Sequence, residues 1–199
     1  ISSHGGNWHG EIVAWNSLQN PTIVRVPEEC STVLSALSRA RSSNGRITTV
    51  VIAKGEYCMD PDECWNGGVV IDFPVSILGA GEANTILYGG SILIKLRNKQ
   101  NQHILLKDLT LKNNAECVHH QGDHLKLINV TVIDGLIGKH FSIIFSQNLH
   151  VRLLITLFFH SSFIGILIDN GSHLELENCV VSHCQRSGIE NYGVLTISG

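Results

Sequence analysis

Four segments of this chain align with no gap: HILLKDLTLKN from His103, HLKLINVTVID from His124, HVRLLITLFFH from His150 and HLELENCVVSH from His173. A fifth, VLTIS from Val194, begins the same way. Successive starts are 21, 26, 23 and 21 residues apart. Position two is apolar throughout: Ile104, Leu125, Val151, Leu174 and Leu195. So is position four: Leu106, Leu127, Leu153, Leu176 and Ile197. Apolar residues at alternate positions mark a half-buried strand. Position six, Asp108, Asn129 and Asn178 with Ile155 as the exception, carries residues that favour a bend. A second apolar stretch follows, with Leu111, Val132, Phe158 and Val181 at position nine. A repeat of this length, made of short strands without a helix, describes a solenoid whose stacked coils bury one continuous apolar column. The fixed Leu-x-x-Leu-x-Leu-x-x-Asn register of leucine-rich repeats is not kept.

Composition agrees with strands. Ile, Leu and Val supply 60 of 199 residues, against 7 Ala, while Gly supplies 19 and Asn 15. Helical bundles favour Ala and disfavour Asn and Gly. A hydrophobic share of 43% with 16% charged residues excludes a disordered chain. A net charge of −3 lacks the basic excess of nucleic-acid-binding domains. The longest uncharged run, Leu153 to Ile168, has 16 residues, short of the ~20 that span a bilayer. No signal peptide is visible after Ile1, and the chain stops inside a strand-like run, so a fragment truncated at its C-terminal end is expected.

The first half follows the same plan less tightly. Val50 to Ile52, Val69 to Ile71, Val75 to Leu78 and Ser91 to Leu96 read as strands, punctuated by Gly55, Gly67-Gly68, Gly79-Ala80-Gly81 and Gly89-Gly90. Ser31 to Arg41 reads as a short amphipathic helix with Ser31 as N-cap, Val33, Leu34, Leu37 and Ala40 on one face, and Asn44-Gly45 as its end. Such a helix covers the open end of a solenoid, where bare strand edges invite aggregation. Ile12 to Trp15 and Thr22 to Val26 read as strands of a lead-in over residues 1–27, with the coil domain occupying 28–199.

The order of helix, Thr48 to Tyr57, Ile77-Leu78-Gly79-Ala80-Gly81 and then Thr85-Ile86-Leu87 resembles the opening of the pectin-lyase-like superfamily. The resemblance covers about residues 28 to 199 and implies an all-β fold, a right-handed parallel β-helix with an N-terminal cap helix. It implies little about activity, because that superfamily includes lyases, hydrolases, esterases, epimerases and non-enzymatic scaffolds. The motifs of its enzyme branches are missing. There is no Asp-Asp pair as in polygalacturonases, and Gln121-Gly122-Asp123-His124 is only a faint echo of their Gly-His-Gly. Asp72-Phe73-Pro74 departs from the methylesterase Asp-Phe-Ile-Phe-Gly run. Glu175 and Glu177 are the only outward acidic pair on a repeat strand, where calcium in pectate lyases asks for several carboxylates.

The unusual residue is histidine, with eleven copies. His103, His124, His150 and His173 hold position one of four coils, so an outward histidine ladder is expected. Stacked imidazoles suit the start of a strand with no ligand at all, and a binding role is the sharper alternative. Cys117, His119, His120 and Asp123 form a second cluster, expected in a loop, and Cys179, His183 and Cys184 a third. Both have the residue types of a metal site without a standard spacing. The six cysteines include no CxxC; Cys58 and Cys64 flank a turn-rich stretch, but buried apolar thiols are the expected fate. Asn129-Val130-Thr131 and Asn170-Gly171-Ser172 match the glycosylation sequon. At positions three and five, Arg152 is expected beside Glu175, and Ile128 beside Leu154 as an apolar patch. The leading expectation is a non-catalytic β-helical scaffold or recognition module of a longer protein, needing no cofactor, with a protein or polysaccharide partner. The alternative is a carbohydrate-active enzyme. Trp8, Trp15 and Trp65 all precede the regular coils, which weakens a sugar platform.

Overall fold

The computed structural model describes residues 22–59, 68–95, 104–113, 118–120, 124–134, 141–145, 150–159, 164–168, 173–177, 180–181 and 187–198. The order begins β1 (Ile23–Val26), α1 (Val33–Ser42), β2 (Thr49–Ile52), β3 (Gly55–Cys58), β4 (Gly68–Ile71), β5 (Val75–Leu78), β6 (Thr85–Tyr88) and β7 (Ser91–Ile94). It continues with β8 (Ile104–Asn113), β9 (Val118–His120), β10 (His124–Asp134), β11 (Phe141–Phe145) and β12 (His150–Phe159). The last strands are β13 (Ile164–Ile168), β14 (His173–Glu177), β15 (Val180–Val181), β16 (Ser187–Asn191) and β17 (Val194–Ser198).

Every strand pairing is parallel, as only a coil that returns to the same side can arrange. One sheet runs β1-β2-β5-β8-β10-β12-β14-β17, and the other runs β4-β7-β9-β11-β13-β16. Short strand β3 pairs with β6, β6 with the second half of β8, and β15 with the second half of β12. The chain is a parallel β-helix.

Repeat position four forms one register column through the first sheet: Val24, Val50, Ile77, Leu106, Leu127, Leu153, Leu176 and Ile197. Val24, Val50, Ile77, Leu106 and Leu127 are all fully buried. The second sheet faces them with its own column of Val69, Ile92, Val118, Ile143, Ile166 and Ile189. Side chains ~4.8 Å apart along each column leave no room for water between rungs. The apolar run from Leu153 to Ile168 is divided between strands β12 and β13. Among the described residues no helix is long and apolar enough to cross a membrane.

Position six bends the coil as expected. Asp108 and Asn129 have φ of 56° and 53°, the left-handed region that short polar side chains tolerate best. The bend also shifts the alternation by one residue. Position seven, Leu109 and Val130, is therefore fully buried, which the repeat alone did not announce.

The helix covers the first coils, with Val33, Ala36, Leu37 and Ala40 buried against β1 and β2. Its N-cap is Thr32 rather than the expected Ser31. The Thr32 hydroxyl accepts the Ser35 N–H at 3.1 Å, and the Thr32 N–H donates to Ser35 Oγ at 3.3 Å. A cap must sit three residues before the N–H it receives, and from Ser31 that partner would be Leu34. Asn44 and Gly45 follow with positive φ, as expected for a helix end. Arg41 forms an ion pair with Asp72, tying the helix to the turn after β4. The expected strand over Ile12 to Trp15 lies outside the described residues, as do Cys64 and all three tryptophans. Cys30 packs against the core but is only half-buried, less covered than the buried thiol expected there.

Candidate functional site

The best-defined polar arrangement lies where the coils bend. The turn between β5 and β6 presses onto the bend of β8: Gly79 N–H donates to the Lys107 carbonyl at 2.9 Å, and Gly81 N–H to the Asp108 carbonyl at 3.0 Å. A Cβ on Gly79 would lie 2.2 Å from the Asp108 carbonyl oxygen, which explains the glycine. Gly81 has φ +124°, a conformation that side chains rarely adopt. Thr85 is fully buried and joins three segments. It accepts the Ala80 N–H at 2.9 Å and donates to the Ala53 carbonyl at 3.1 Å. The two motifs that carried the family resemblance are therefore structural parts of one corner.

A polar seam continues from this corner across the next coils. Thr110 Oγ1 donates to the Glu82 carbonyl at 2.6 Å, and Thr131 Oγ1 to Glu82 Oε2 at 3.3 Å. Asn129 Nδ2 donates to Asp108 Oδ1 at 2.8 Å, joining two successive bends. Lys107 Nζ lies 3.7 Å from Asp108 Oδ2. The seam thus holds two carboxylates, Asp108 engaged from the next coil and Glu82 from the second coil on. Sequence reading took Asp108 and Asn129 as bends, placed Asn129 and Thr131 in a glycosylation sequon, and passed over Glu82 and Thr110. Threonine recurring at position eight, before a buried position nine, was the available signal. Asn129 of the first sequon is committed to this ladder, and the second sequon lies outside the described residues.

Three of the four position-one histidines share one backbone register. His124 is opposite His150, and His150 opposite His173. His103 lies outside the described residues. Flanking residues on the same strands run in columns, with Lys126 opposite Arg152 and Arg152 opposite Glu175. Ile128, half-buried, is in register with Lys107 and Leu154.

Of the second cluster, His119 and His120 lie on a strand and not in the expected loop. His119 and His120 are successive residues of β9, and the columns they join differ. His120 shares its register with Ile94, which is buried, and with Phe145; His119 shares its register with Leu93 and Ile144. Successive strand positions belong to opposite faces. Cys117 and Asp123 of that cluster, and all of Cys179, His183 and Cys184, lie outside the described residues. Among the described residues no group of three His, Cys, Asp or Glu side chains is gathered for a metal ion.

No protein-family model and no curated protein matches the chain. Solved structures do. The catalytic domain of a GH87 α-1,3-glucanase in complex with nigerose superposes with a TM-score of 0.66 at 17% identity, covering 89% of this chain and 32% of that one. An aspartate-substituted form in complex with tetrasaccharides gives 0.59 at 15% identity, covering 80% of this chain. The chain spans about a third of the length of these structures. At such identity the likeness establishes the fold alone, a parallel β-helix.

Proposed function

We propose that the chain is a non-catalytic recognition module whose ligand is a polysaccharide, built on the parallel β-helix. The observation that carries this reading is the state of the polar seam. Glycoside hydrolysis needs two carboxyl groups facing one bond, about 5–9.5 Å apart, one of them able to give up a proton. Here Asp108 is engaged by Asn129 and Lys107, and Glu82 by Thr131. Carboxylates bonded between rungs hold the coils in register. The solved neighbours, glucanase catalytic domains with sugars bound, support a carbohydrate as the ligand class.

A second reading, a carbohydrate-active enzyme, is favoured by one observation: both carboxylates lie on the same seam of adjacent coils. One experiment separates the two. The chain is incubated with insoluble α-1,3-glucan, and both retention on the glucan and release of reducing ends are measured. Retention without release supports the module. Release that disappears in Glu82→Gln or Asp108→Asn supports the enzyme. Neither retention nor release removes the carbohydrate reading.

A further inference from the structure

We propose that the outer face of the first sheet docks an acidic amphipathic helix of a partner protein. On β1, β2, β5, β8 and β10 the outward positions form two register columns. One reads Ile23, Thr49, Ser76, Leu105 and Lys126, and the other Arg25, Val51, Leu78, Lys107 and Ile128. The residues between them, Val24, Val50, Ile77, Leu106 and Leu127, are fully buried, so the two columns belong to the opposite face.

A sheet with one solvated face ordinarily carries polar residues on it. Here each of these strands presents one aliphatic residue outward: Ile23, Val51, Leu78, Leu105 and Ile128. All of them are half-buried. None belongs to the core or to the partly buried hydrophobics packed against it. The charges in the two columns are all cationic. Arg25 pairs with Glu29, and Lys107 lies 3.7 Å from Asp108, whereas Lys126 has no ion-pair partner among the described residues.

These features select the partner. Coils repeat at ~4.8 Å and helical turns at ~5.4 Å, so a helix along the solenoid axis sets about one turn against each aliphatic residue. The stripe is about 19 Å long, which about 13 helical residues span. A helix about 10 Å across covers both columns. The columns hold no aromatic residue to stack on a sugar and no carboxylate to meet a cation. A second copy packed face to face would therefore oppose cations with cations. Half-buried side chains do not project far enough for a lipid surface, which takes up an apolar face to a depth of ~5–10 Å. A helix with an aliphatic stripe flanked by Asp or Glu complements both the stripe and Lys126. The docking face uses none of the seam's hydrogen bonds, so it stands apart from the polysaccharide reading.

The test uses the full chain and a synthetic peptide of about 18 residues, long enough to be helical, with Leu on one face and Glu on the other. A control peptide carries Lys in place of Glu. Fluorescence anisotropy should show binding of the Glu peptide and much weaker binding of the Lys peptide. Leu78→Thr/Ile128→Thr should weaken the Glu peptide about tenfold or more, through lost aliphatic burial. Lys126→Glu should weaken it about threefold or more and strengthen the Lys peptide. If the double variant does not fold, judged by far-ultraviolet circular dichroism, Lys126→Glu alone must show that exchange of preference. No binding of the Glu peptide, equal binding of both peptides, or affinities unchanged in the variants would overturn the proposal. So would a dimer of the chain in analytical ultracentrifugation, or retention on phosphatidylserine vesicles, that the same variants abolish.

Discussion

Leu106 and Ile197 hold the same repeat position, on β8 and on β17, yet one is 0% exposed and the other 68%. Both belong to the column that runs from Val24 through Leu127. β8 is paired on both sides, by β5 and β10, whereas β17 among the described residues is paired by β14 alone. A coil cannot bury its own inner face. The repeat pattern sets which side chains face inward, and the neighbouring coils decide how much stability that contributes.

The largest expected effect sharpens this contrast. Leu106→Ala should cost about 2–5 kcal/mol, the range for large-to-small changes in a packed core. Ile197→Ala should stay within about 0.5 kcal/mol, as for exposed positions. Urea melts of the two variants measure the difference, and near-equal losses would mean that stacking does not set the energy. Next comes the corner that locks one coil to another. Gly79→Ala would push a methyl group onto the Asp108 carbonyl and should cost about 1–3 kcal/mol through forced backbone shifts. A thermal melt indistinguishable from wild type would show that the turn does not press on β8.

Thr85→Val keeps shape and removes the hydroxyl that serves Ala80 and Ala53. Removing these two part-buried hydrogen bonds should cost about 1–3 kcal/mol, seen again in urea. The smallest effect belongs to the helix. Thr32→Ala should cost about 1 kcal/mol, and Ser31→Ala almost nothing, because Thr32 is the cap. The reverse order in differential scanning calorimetry would restore the cap to Ser31.

The first sheet was legible because its signal is doubled: alternation along each strand and identity of type between coils 21–26 residues apart. Leu127 could be assigned inward from its own strand and again from Leu106 and Leu153. Position seven was not legible. Leu109 and Val130 are apolar, but Thr156 and Cys179 are not large hydrophobes, and only the left-handed backbone at Asp108 and Asn129 reveals the shift of alternation. The second sheet was harder still. Val118, His119 and His120 in β9 show no alternation of type, so two residues in different register columns read as one cluster. The polar seam was hidden because its central member, Glu82, sits in a turn outside the repeat. Its partners come from β8 and β10, 28 and 49 residues away. The histidine column, by contrast, was legible as a register because a gapless alignment is itself a statement of which residues become neighbours.

The account rests on the inward and outward alternation of β10 within a parallel stack, and two adjacent residues test it most directly. Leu127 is 0% exposed, while Lys126, one residue before it, belongs to the opposite face. Urea melts of Leu127→Ala and Lys126→Ala, analysed at a common slope, give the comparison. The account predicts a loss of about 2–5 kcal/mol for Leu127→Ala and well under 1 kcal/mol for Lys126→Ala. Equal losses, or the larger loss at Lys126, would contradict it, because a register moved by one residue inverts every facing assignment along the strand.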